Sequence, residues 1–120
     1  MQMLNNVLIE GILRSEPYKV AFGSKAGTTL VKFDIENIRT RKDSEDSCFL
    51  TVQTWGAMAE AVLKNLKCGM NVRVVGSLKQ NNWKKGGVSY TSYEILAQYL
   101  EFQNEISGKT AVAEGGDKVQ

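Results

Sequence analysis

The sequence predicts an all-β domain with one helix, in which five strands close into a small barrel in the order β-β-β-α-β-β. Three observations lead there. Residues 48–83 read as strand, helix, strand: CFLTVQTWG and MNVRVVGSLKQNNW alternate with period two, while AMAEAVLKNLKCG repeats its apolar residues at helical spacing. Two further alternating stretches precede this unit and one follows it. Gly11 interrupts the first of them, where a strand wrapping a small barrel has to bend.

A chain of 120 residues is long enough for one core and too short for two. Its 42% hydrophobic and 23% charged fractions are those of a soluble globular protein. No apolar run reaches the roughly 18 residues of a membrane span. The start, MQMLNNVLIEG, lacks a basic leader and a cleavage site, so no signal or transit peptide is expected and the protein is placed in the cytoplasm. Cys48 and Cys68 stand far apart and histidine is absent, which leaves no zinc set and no cofactor site. Both thiols are expected to be free in a reducing compartment. Residues 1–100 carry 13 Lys and Arg against 9 Asp and Glu, and the last twenty carry 2 against 4. A mildly basic body permits nucleic-acid binding without demanding it.

The first strand is predicted over Asn6–Arg14. Ser15 to Thr28 reads as a loop or loose hairpin around Pro17 and GSKAG, with no phosphate-cradling GxxxxGK[ST] pattern. In the second strand, Thr28–Asn37, Val31, Phe33 and Ile35 face inward and Lys32, Asp34 and Glu36 outward. Ile38 to Ser47 is a charged linker. It reads either as a solvated hairpin tip or as an arm whose Arg39, Arg41 and Lys42 grip phosphates.

The third strand turns Leu50, Val52 and Thr54 one way and Phe49, Thr51, Gln53 and Trp55 the other, so its outward row has an aromatic at each end. The helix, Ala57 to Lys67, buries Met58, Val62 and Leu66, sets Lys64 and Lys67 against its C-terminal dipole, and stops at Gly69. In the fourth strand Val72, Val74, Gly76 and Leu78 form one row, and Arg73, Val75, Ser77, Lys79, Asn81 and Trp83 the other. Lys84-Lys85-Gly86-Gly87 turns the chain into the last strand, Val88 through Phe102. From Gln103 periodicity ceases. The expected division is therefore a domain over 1–102 and a short disordered tail over 103–120.

An outer sheet face that mixes cations with aromatics suits single-stranded nucleic acid: bases stack on flat π-faces while Lys and Arg track the phosphates. The plainer reading makes Phe49, Trp55 and Trp83 ordinary half-buried strand aromatics. An enzyme is not expected, for the chain has no histidine, no G-x-S-x-G, no Walker motif and no recognisable carboxylate pair.

Trp55-Gly56 at a strand end, a helix closed by Lys67-Cys68-Gly69, the run VRVVGSLKQNNW, and Gly11 followed by Glu16-Pro17 together resemble the bacterial and phage-type single-stranded DNA-binding protein family over residues 5–102. The resemblance implies a five-stranded OB-fold Greek-key barrel that binds single-stranded DNA without sequence preference in replication, recombination and repair, as a homotetramer or a dimer. It implies stacking roles for Trp55, Phe49 and Trp83, groove-cation roles for Lys79, Lys67, Arg14 and Lys32, and loop contacts from Lys84 and Lys85. Arg41 stands about where the family often carries a stacking Trp, and a guanidinium can also stack on a base. Leu50 stands where the family often has a His. The closing AEGGDKVQ lacks the family's acidic Pro-Phe tip, so replication proteins are not expected to be recruited through one. Two alternatives stay open: a primosomal-type accessory protein, and a protein-interaction module of the same fold.

Overall fold

The computed structural model describes residues 2–20, 28–104, 108–113 and 118–119. β1 (Val7–Leu13), β2 (Tyr18–Lys19), β3 (Leu30–Thr40) and β4 (Glu45–Trp55) precede α1 (Gly56–Asn65). After it come β5 (Asn71–Lys85), β6 (Val88–Asn104), β7 (Gly108–Ala113) and β8 (Lys118–Val119). Five of these strands close a ring. β1 pairs antiparallel with both β3 and β5, β3 with β4, and β5 with β6. A short parallel contact, Thr51–Gln53 against Glu94–Leu96, joins β4 to β6 and completes the barrel. This is the predicted OB-fold with its single helix.

The inward rows are those the alternation predicts. Val31, Phe33 and Ile35 of β3, Val52 of β4, Val72 and Val74 of β5 and Ile95 of β6 are buried. Met58, Ala59 and Val62 of α1 join them, so the helix covers the barrel with its apolar stripe. Gly11 comes just before β1 changes partner: Val7 to Ile12 pair with β5, and Ile12 and Leu13 pair with β3. A tighter constraint lies at Gly76. The ladder between β5 and β6 shifts register between Val75 and Gly76, and a Cβ added to Gly76 would overlap the Leu96 carbonyl.

The structure departs from the sequence prediction in three places. The helix ends at Asn65, two residues early, because Leu66 turns to extended backbone while keeping its side chain in the core. Leu66 therefore continues the apolar spacing without continuing the helix. Gly69 lies in the turn beyond and donates its N–H to the Leu13 carbonyl (2.8 Å). Second, most of the predicted charged linker is strand. β3 continues to Thr40 and β4 begins at Glu45, with Arg41 N–H donating to the Ser44 carbonyl (2.7 Å) across the turn. Cross-strand backbone pairing holds this arm, which has no buried face to imprint an apolar pattern.

Third, the segment expected as a disordered tail holds strand. β6 runs on to Asn104, and β7 folds back against it from Ala113–Tyr99 to Gly108–Asn104. Ala111 and Val112 are buried there. Two adjacent buried residues in a short, Gly-flanked stretch do not register as a period. The Gly23–Gly27 part of the first loop lies outside the described residues.

Candidate nucleic-acid interface

Lys32 lies opposite Tyr18 on one side and Gln53 on the other, and Lys79 lies opposite Glu94. Because β4 and β6 also pair, these residues share one outer patch of the barrel. A chain of contacts joins them. The Trp55 indole Nε1–H donates to Gln53 Oε1 (2.8 Å), and Lys79 Nζ donates to the same oxygen (3.4 Å). Gln53 Nε2 donates to Glu94 Oε1 (3.0 Å), and Lys32 Nζ donates to Glu94 Oε2 (2.9 Å). Trp55, Lys79, Gln53 and Leu96 border a shallow cleft of about 320 Å³ whose floor includes Met58 and Ala97. Tyr18 stands half-exposed at the margin. Partial burial, then the Asp34 and Glu94 carboxylates, hold its phenol above its ordinary pKa.

Phe49 is on the same side of β4, six residues before Trp55, and is 64% exposed. Its cross-strand neighbour is Glu36. The Glu36 carboxylate accepts from Ser47 Oγ (2.6 Å) and from Arg14 Nε (2.7 Å). The Ser47 hydrogen bond, followed by the Arg14 contact, keeps that carboxyl below the usual range. Arg14 and Lys32, both expected as groove cations, are thus engaged by carboxylates of their own chain.

Two arms extend from the barrel. On the β5–β6 arm, Trp83 and Tyr90 are stacked with ring centroids 5.6 Å apart and planes 16° from parallel. Trp83 is on the Lys79 side of β5, four residues further on, and remains 47% exposed. Lys84 and Lys85 follow, exposed and without an ion-pair partner among the described residues. Gly86 and Gly87 close the arm, both with positive φ (60° and 81°), as a two-residue primed turn requires. At the tip of the β3–β4 arm, Arg41 Nε is 3.2 Å from Asp46 Oδ2. Lys67 stands apart, on the turn behind α1 whose backbone is tied to Leu13.

Trp55, Lys79 and Lys32 therefore come together, Phe49 and Trp83 flank them on the same side, and Arg41, Lys67, Lys84 and Lys85 are peripheral. Sequence reasoning missed Tyr18, Tyr90 and Glu94 as members of this surface. Tyr90 was within reach: a two-residue turn at Gly86-Gly87 sets Lys85 against Val88, and so Trp83 against Tyr90. Tyr18 belongs to a strand of two residues and leaves no periodic signal. Among the described residues no group of three or more His, Cys, Asp or Glu could hold a metal. Both cysteines are exposed and free. No described helix is long and apolar enough to cross a membrane.

Comparison with known proteins agrees with this geometry. The family model "Single-strand binding protein family" matches residues 4–103. The chain is 35% identical to the single-stranded DNA-binding protein 2 of Chlorobaculum tepidum, over 88% of this chain and 74% of the relative. It is 32% identical to the single-stranded DNA-binding protein of Aquifex aeolicus, over 98% and 82%. Its fold is similar to that of a Plasmodium falciparum SSB solved in complex with ssDNA, with a TM-score of 0.76 at 20% identity, covering 85% of this chain and 96% of that one.

Proposed function

Since the chain belongs to the single-strand binding protein family, we propose that it binds single-stranded DNA without regard to sequence, using the outer face of β4, β5 and β6. One observation carries this reading: Phe49, Trp55 and Trp83 lie on one side of the barrel together with the exposed Lys79, and the exposed Lys84 and Lys85 extend from it at the tip of the β5–β6 arm. Each stacked base contributes about 1–3 kcal/mol and every base has a π-face, so the arrangement tolerates any sequence. The lysines add a salt-sensitive term as counterions leave the strand. Arg41 and Lys67 contact phosphates only where the strand leaves this face. The activity is binding, without catalysis, and it serves replication, recombination and repair in the cytoplasm.

A second outer face supports self-assembly. Leu8, Val75 and Tyr99 form a row across β1, β5 and β6 in direct register. Leu8 is 75% exposed, and the row borders a cleft of about 400 Å³. An apolar row of this kind suits contact between copies of the chain, and the proposed assembly is a homotetramer that leaves the aromatic face open.

Tryptophan fluorescence during titration with oligo-dT, at low and high salt and beside a duplex of equal length, tests the reading. Strong quenching by dT, weakened by salt and absent with duplex, is expected. Equal affinity for duplex would refute it.

A further inference from the structure

Trp55 is fixed by a relay of side chains as well as by packing. Gln53 is 3% exposed and Glu94 8%, although both occupy outward strand positions. A buried amide has to satisfy both its ends. Glu94, as a carboxylate, only accepts, so it takes the Gln53 NH2 group (3.0 Å). That sets the Gln53 carbonyl toward two donors, the Trp55 indole N–H (2.8 Å) and Lys79 Nζ (3.4 Å). Lys32 Nζ, 2.9 Å from the other Glu94 oxygen, compensates the buried charge. The order Lys32, Glu94, Gln53, Trp55 leaves one consistent set of donors and acceptors.

Resting on the single-stranded DNA reading above, we propose that Gln53 and Glu94 are positioning residues that lock the Trp55 indole as a stacking platform before DNA arrives, and that Lys32 completes this lock instead of contacting phosphate. A side chain already ordered in the free protein loses little freedom when a base lands on it. Freeing the indole should therefore weaken binding while leaving the number of released counterions unchanged.

The chain has two tryptophans, so Trp83→Phe leaves Trp55 as the sole reporter, and all comparisons are made in that background. Gln53→Met removes all three amide contacts at similar volume. Lys32→Met attacks the lock from its other end and keeps the test available should the first variant not fold. In each, the fluorescence anisotropy of Trp55 in the free protein should fall. Affinity for oligo-dT should drop about 2- to 10-fold, with the slope of log affinity against log salt unchanged. A phosphate-contacting lysine behaves differently, and its removal flattens that slope by about 0.7. Lys85→Met supplies that comparison. Unchanged anisotropy and affinity in Gln53→Met, or a slope flattened by about 0.7 in Lys32→Met, would overturn the inference. If the parent protein fails to bind dT, the single-stranded DNA reading itself falls, and the free-protein anisotropy alone judges the lock.

Discussion

Phe49 stands most openly of the three nominated aromatics, 64% exposed with Glu36 across the ladder. Little of its side chain supports the core, so Phe49→Ala should leave the unfolding midpoint nearly unchanged while removing about 1–3 kcal/mol of oligo-dT affinity. Denaturant unfolding and a binding titration on one sample would check both halves. Beside it, Glu36 is held acidic first by Ser47 and then by Arg14. A carboxyl whose folded pKa lies below its ordinary 4.5 contributes stability that is present above that value and lost as pH falls through the folded one. Ser47→Ala should move the Glu36 titration back toward 4.5, observable by carboxyl NMR; a titration that does not move would show that Ser47 is not the main cause.

Among the elements, β5 and β6 carry the most demanding geometry. An added Cβ at Gly76 meets backbone at Leu96, which cannot swing aside as a side chain could. Gly76→Ala should cost roughly 1–3 kcal/mol in urea unfolding, as overpacked cores do. Wild-type stability would mean that the register shift at Val75 absorbs the methyl. The barrel strands and α1 were legible in the sequence because each has one buried face, and burial writes a period into the residues. The β3–β4 arm, β2 and β7 were not legible, since they are held by pairing with little or no such face. The same division runs through the site. The outward placement of Trp55, Phe49, Lys79 and Trp83 follows from alternation, and the binding role proposed for them comes from the family resemblance. The pairing of Lys32 with Glu94 and of Arg14 with Glu36 depends on which strands become neighbours, and spacing along the chain does not encode that.

At the scale of the molecule, the barrel offers two unlike outer faces, one of aromatics and lysines and one with the apolar row Leu8, Val75 and Tyr99. If the second face joins copies of the chain, Leu8→Glu should lower the mass in solution while each released subunit keeps its quenching by dT. An unchanged mass would place the contact elsewhere. The central claim is that bases lie on the first face. Its most direct test is photocrosslinking to oligo-dT carrying 5-iododeoxyuridine, with the adducts mapped by peptide mass spectrometry. Adducts at Phe49, Trp55 and Trp83 are the predicted result, and adducts confined to the Leu8–Tyr99 face would contradict it.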